Sequence, residues 1–197
     1  MMRSAPLWLG GLLAIAAPPA AALIPPPPNQ TSVDCNAKIY AVDTIVCENP
    51  DLLGMDQAVQ RAVADVGPEP AESATYEAHE TWFRRRGLCA MIETARECLA
   101  AAYSERLAVL TAMRAAPEGK VADITCIPMP WEGGARARIT PEWITLSDRS
   151  GLIRGVAVPM TTTGWRPMLG IATSSARKLE LRTATGLMRC RRMRGPG

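Results

Sequence analysis

Six cysteines are the residues of this chain best suited to chemistry: Cys35, Cys47, Cys89, Cys98, Cys126 and Cys190. A thiol can ligate a metal, carry electrons or staple a fold. A redox pair would want Cys-x-x-Cys, and a zinc site would want close Cys/His pairs; neither spacing occurs. An even number in a chain that reads as exported points first to disulfides. His79 is the only histidine, and it is expected to face solvent on a polar helix face. No serine or free cysteine has a basic partner in sequence to suggest a triad. The expectation is therefore a protein that is not an enzyme, with no cofactor and no metal.

The charged clusters suggest binding instead. In Arg84-Arg85-Arg86, Arg86 is expected to pack back on Trp82 four residues earlier and to bond a helix-end carbonyl. Arg84 and Arg85 are solvated, or offer a cation to a partner's acidic cleft. Glu69, Glu72, Glu77 and Glu80 read as a wet helix face on which a basic partner would dock quickly. Arg189, Arg191, Arg192 and Arg194 close the chain. An exported protein meets little nucleic acid, so their partner would be anionic envelope polymer or a membrane surface, unless they form a solubilising tail. Trp131, Trp143 and Trp165 are expected at core or half-core positions of a small barrel, with a sugar-stacking surface as the other reading.

The elements that would position these residues fall into two grammars. Residues 1–22 read as a signal peptide: Arg3, an apolar run from Leu7 to Ala17, and small residues up to a cleavage site near Ala22. The first cysteine lies too far on for a lipid anchor, so no stable membrane anchor is expected. Residues 23–33 are a Pro-rich spacer. From 34 to 116 the pattern is helical. Cys35, Ile39, Val42 and Val46 share one face behind an Asp34 N-cap, Asn49-Pro50 breaks that helix, and Pro50 opens a second running to about Val66. A third helix carries Tyr76, Trp82 and Phe83. A fourth begins near Met91, with Leu99, Ala102, Tyr103, Leu107, Leu110 and Met113 as its stripe.

After Pro117-Glu118-Gly119 the period changes to short β runs within 120–192: VADITC, ARARI, EWITL, LIRGVAV, WRPMLGIA, KLELRT and LMRCRR. Gly- and Thr-rich turns separate them. The fold class is α+β as two modules, a disulfide-stapled helical hairpin array followed by a small antiparallel β-barrel or sandwich. Cys126 in the first run and Cys190 in the last would form one bridge closing the β module. Charge divides at the same boundary: residues 23–117 hold 13 acids and 8 bases, residues 118–197 hold 6 acids and 13 bases.

The helical half resembles the LprI family of lysozyme inhibitors. The resemblance rests on Cys35, Asp43-x-x-Val46-Cys47, Pro50-x-Leu52-x-x-Met55-Asp56, Trp82-x-x-x-Arg86-x-x-Cys89 and Cys98-Leu99-x-x-x-Tyr103-x-x-Arg106. Asp43 stands where the family usually has Glu, and His79 where it usually has Gln. With four helices alternating in direction, Cys47 lies level with Cys89 and Cys98 returns to the level of Cys35. Cys35 and Cys47 would also point about 120° apart on one helix. The expected bridges are therefore nested, Cys35–Cys98 and Cys47–Cys89. The β half is similar to the periplasmic inhibitors of C-type lysozyme in its Ser150-Gly151, with Arg154 where those carry Tyr.

The resemblance implies an exported or periplasmic protein that blocks a lysozyme or other muramidase by occupying its cleft. Asp43, Pro50, Leu52, Asp56, Trp82, Arg86, Tyr103 and Arg106 would hold the fold, and Arg84, Arg85, Glu77 and Glu80 would meet the partner. The other expectation is a non-catalytic envelope-interaction protein whose basic β half holds peptidoglycan or another anionic polymer.

Overall fold

The computed structural model of the chain describes residues 30–193 except 68, 115–118, 130, 133 and 176. The expected signal peptide, most of the spacer and Arg194 lie outside the described residues.

Four α-helices come first: α1 Ala41–Glu48, α2 Pro50–Val66, α3 His79–Arg85 and α4 Ala95–Arg114, with a 3-10 turn Arg86–Met91 between the last two. Pro50 opens α2, where its missing N–H costs nothing and its fixed φ suits the helix. α2 buries Leu52, Asp56 and Val59, and α4 buries Cys98, Leu99, Ala102, Tyr103, Arg106 and Leu110, each at helical spacing.

The first helix starts later than its apolar spacing suggests. Asp43 supplies the cap, its Oδ2 accepting from the backbone N–H of Tyr40 at 2.9 Å and of Ile39 at 3.0 Å. Asp34 instead accepts from Asn36 N–H at 2.9 Å in a turn of its own. Cys35 is thereby left on a non-helical lead-in, from which it folds back on the helix. The nested pairs are corrected accordingly: Cys35 bonds Cys47, and Cys89 bonds Cys98. The 120° separation applied only to two cysteines on one helix, and only Cys47 is on it.

The β half is a closed barrel of seven strands: β1 Lys120–Ile127, β2 Ala135–Ile139, β3 Ile144–Ser147, β4 Ile153–Pro159, β5 Leu169–Ser174, β6 Lys178–Thr183 and β7 Gly186–Arg192. β7 returns to pair with β1, so Cys126 stands directly opposite Cys190 and the expected Cys126–Cys190 bridge forms there. Alternation puts Ile124, Leu146, Leu179, Leu181 and Met188 inside, and their charged neighbours outside. One pair departs from the antiparallel expectation: β4 and β5 run parallel. Parallel neighbours need a crossover, and residues 160–168 make it across the face of the helices.

That crossover joins the two halves. Trp165, expected in the barrel, is buried with Trp82, Phe83, Leu99 and Leu110 in the helical core. Gly155 on β4 lies against Thr75; a Cβ there would come 2.8 Å from the Thr75 carbonyl oxygen, so only glycine lets the surfaces close. Thr75 Oγ1 donates to the Arg154 carbonyl at 2.6 Å across the same seam. Among the described residues no helix is long and apolar enough to cross a membrane.

Candidate functional site

Most of the residues that carry the family resemblance lie in the helical interior, whereas Cys35 and Pro50 are exposed. Asp43 and Arg86 are both fully buried and joined by a 2.9 Å ion pair. The Arg86 guanidinium lies 3.8 Å over the Phe83 ring. It therefore bonds a carboxylate and stacks on Phe83, rather than packing on Trp82 and capping a carbonyl as expected. Asp56 accepts from Tyr103 OH at 3.0 Å and from the backbone N–H of Val33 at 3.2 Å. Burial, and the Asp56 carboxylate beside it, push the Tyr103 phenol up, the nearby Arg86 cation opposing them. Pro50 and Leu52 sit at the start of α2, with Leu52 buried.

His79 is 6% exposed, which corrects its solvent-facing expectation. Its ring stacks on Trp82 at 5.3 Å, and Nε2 lies 2.8 Å from the Thr31 carbonyl, so Nε2 carries the proton that it donates. Burial, with repulsion from Arg106, holds its pKa below the usual value. Residues 31–33, expected in a free spacer, are thus stitched to the helices at Thr31 and Val33.

The acidic face is also corrected in part. Glu69 accepts from Arg106, from Tyr76 OH at 2.8 Å and from the His79 N–H at 2.8 Å. Burial raises its pKa, but these donors outweigh burial and the net shift is downward. Glu77 is buried and takes a two-pronged bond from Arg85, 2.7 Å on each oxygen. Arg85 also donates to the Arg166 carbonyl at 2.7 Å and lies 4.0 Å over the Trp165 ring. Glu105, on α4, accepts from Trp165 Nε1 and, at 2.9 Å, from Met168 N–H. Its carboxyl is raised by burial, with Arg85 and these donors opposing. Of the four expected partner-binding residues, only Arg84 and Glu80 remain at the surface, paired with each other at 3.2 Å one helical turn apart. Arg85 and Glu77 hold the seam instead.

Among the described residues, the barrel's outer face carries both paired and unpaired cations. It pairs Arg136 with Asp123, Arg154 with Asp148 and, at 3.7 Å, Arg189 with Glu180. Asp148 is held below the usual carboxylate range by the Ser150 hydroxyl and by Arg154. This gives Ser150 and Arg154 a role in the β3–β4 turn. Lys178 and Arg191 stand directly opposite each other across β6 and β7, on the outside, and among the described residues neither has an ion pair. Like charges so placed repel. They border a concavity of about 520 Å³ that also takes in Thr125, Ile127, Glu180 and Arg189, with Ile127 three-quarters exposed in it.

Sequence reasoning singled out Arg189 and Arg191 but not Lys178 or Ile127. The signal was present: a two-residue Ala184-Thr185 turn fixes the hairpin register and so places Lys178 opposite Arg191. Trp131 donates to the Gly134 carbonyl at 3.1 Å and packs against the barrel core, half-buried. Trp143 is half-buried, and with Trp165 in the helical core and Trp131 on the barrel core the three tryptophans do not share one surface. Among the described residues no group of three or more His, Cys, Asp or Glu is placed to hold a metal ion.

Comparison with protein-family models, with curated proteins and with solved structures finds no match for this chain.

Proposed function

We propose that the chain is an exported, non-catalytic binding protein whose barrel holds an anionic cell-wall polymer. The observation that carries this reading is the Lys178–Arg191 pair. Two cations face each other on adjacent strands with no carboxylate between them, an arrangement that is unfavourable alone and favourable once an anion bridges it. Three disulfides suit an oxidising compartment, in keeping with a periplasmic or secreted location. Co-sedimentation of the full chain with purified peptidoglycan at low and moderate salt tests the proposal. Binding through exposed cations weakens as the Debye length shrinks from about 30 Å at 0.01 M to about 8 Å at 0.15 M.

One observation favours a second reading, inhibition of a lysozyme by an LprI-like domain built as a helical hairpin array. The 3-10 turn between α3 and α4 exposes Leu88 and Met91, at 66% and 82%, and the Cys89–Cys98 bridge pins it. A rigid apolar prominence is the kind of anchor that fills an enzyme's cleft, a role that the internal pairs of Arg85 and Glu77 no longer supply. Turbidity clearance of cell walls by C-type lysozyme separates the two: slowing that Leu88→Ala/Met91→Ala abolishes supports inhibition, and no slowing at tens of micromolar rejects it.

A further inference from the structure

A second cleft of about 520 Å³ opens where the helices meet the barrel, well apart in character from the Lys178–Arg191 face. Three cations line it: Arg85, already held by Glu77, Arg166, on the crossover, and Arg182, on β6. Arg166 and Arg182 are exposed, and neither side chain has an ion pair or hydrogen bond among the described residues. Its walls include Leu88, Met160 and Met168, of which Leu88 and Met160 rank among the exposed large apolar side chains. Apolar walls with a few converging polar groups, at a volume between 300 and 1,000 Å³, are the general form of a small-molecule site.

We infer that this cleft binds a single acyl chain ending in a carboxylate. Each guanidinium presents a planar fork that matches a carboxylate, and the two, with no ion pair among the described residues and no acid lining the cleft, leave a net positive mouth. Methionine side chains are flexible and polarizable, and they adapt to an apolar chain of no fixed shape. An extended peptide is the less suitable occupant, because strand addition needs a free sheet edge and this barrel is closed, with β7 paired to β1 and β6 paired to both neighbours. The recess also has a built floor. A Cβ on Gly170 would come 2.8 Å from Met160 Cγ, so glycine there is what allows Met160 to lie down on β5 and leave the cleft open.

Titration of the full oxidised chain with dodecanoate, below its micelle concentration, followed by calorimetry and by the fluorescence of Trp165 beside Arg166, tests the inference. Saturable one-to-one binding is expected, weakened at least about tenfold by Arg166→Gln and by Arg182→Gln, as each removes one charged hydrogen bond. Dodecyl maltoside, with the same chain and no charge, and acetate, with the charge and no chain, should each bind at least tenfold more weakly. Gly170→Ala, whose Cβ would displace the Met160 side chain in the cleft wall, should weaken dodecanoate while leaving peptidoglycan pelleting unchanged. Lys178→Glu/Arg191→Glu should do the reverse, so this inference and the polymer-binding proposal fail separately. Absence of dodecanoate binding to the wild-type chain, equal binding of dodecyl maltoside, indifference to both arginine substitutions, or tighter binding of a peptide ending in a leucine carboxylate would each overturn it.

Discussion

Trp165 of the barrel crossover donates its indole N–H to the Glu105 carboxylate of α4, so a residue of the β half sits inside the core of the helices. The contact explains why the crossover is ordered against the helices and why Arg85, Glu77 and Glu105 are internal. It also ties the two halves together, although every disulfide lies within a half.

Removal of that anchor should separate the halves. Trp165→Ala is expected to cost about 3–5 kcal/mol, as for other buried large-to-small changes, and Trp165→Phe about 1–2 kcal/mol, because it keeps most of the packing and removes one of the Glu105 carboxylate's hydrogen bonds. Urea unfolding followed by far-ultraviolet circular dichroism should show one transition for the wild type and two for Trp165→Ala. Gly155→Ala should act in the same direction by wedging Thr75 away.

The buried Asp43–Arg86 pair gives a second expectation. Asp43→Ala should destabilise by about 3–5 kcal/mol, since it strands a fully buried cation and also removes the cap of α1. Asp43→Leu/Arg86→Met should cost less than Arg86→Met and Asp43→Leu added together, because the double change leaves no unpaired charge. Chemical denaturation of the four species closes the cycle.

Stability should depend on pH through two groups of opposite sign. Burial and Arg106 hold His79 below its usual 6.5, so the unfolded chain takes the proton first. Stability therefore falls as pH drops from 6.5 towards the folded-state value. His79→Gln, whose amide can still donate to Thr31, should remove that slope. Glu105 is raised above its usual 4.5, so its contribution is complete below pH 4.5 and is lost as pH rises through the raised value. Glu105→Gln should flatten that second slope. Difference curves of unfolding free energy between pH 4 and 8, wild type minus each variant, give the two signs directly.

Non-reducing peptide mapping should find Cys35 with Cys47, Cys89 with Cys98, and Cys126 with Cys190; a peptide linking Cys35 to Cys98 would contradict the structure. By loop entropy the two short bridges, closing separations of 12 and 9 residues, are worth about 3 kcal/mol each, and the barrel bridge, closing 64, about 4 kcal/mol. Cys126→Ala/Cys190→Ala should therefore lower the melting temperature most.

Local signals were legible in the sequence and long-range pairings were not. ARARI and KLELRT became β2 and β6 at the expected residues because alternation and flanking turns fix a strand locally. Pro50 fixed the start of α2 in the same way. The start of α1 was missed because Asp34 and Asp43 are both plausible caps, and the choice depends on Arg86, which holds Asp43 from another element 43 residues away. The disulfide error followed from that shift. His79, Glu77 and Trp165 were misplaced for a related reason. A polar or amphipathic side chain is buried when partners beyond its own helical turn satisfy it: Thr31 and Glu105 are 48 and 60 residues from His79 and Trp165, and Arg85 is 8 from Glu77. The basic face was half legible, as the arginine run was plain and Lys178 became its partner only through the hairpin register.

The central claim, that the barrel's outer face holds an anionic polymer, is tested most directly by co-sedimentation of the full chain and of Lys178→Glu/Arg191→Glu with purified peptidoglycan at 0.01 M and 0.15 M salt, concentrations at which the Debye length is about 30 Å and about 8 Å. The account predicts that the wild type pellets at low salt and is largely released at the higher one, and that the charge-reversed variant, folded and oxidised, stays in the supernatant at both. Equal pelleting of the two proteins, or no pelleting of the wild type at low salt, would contradict it.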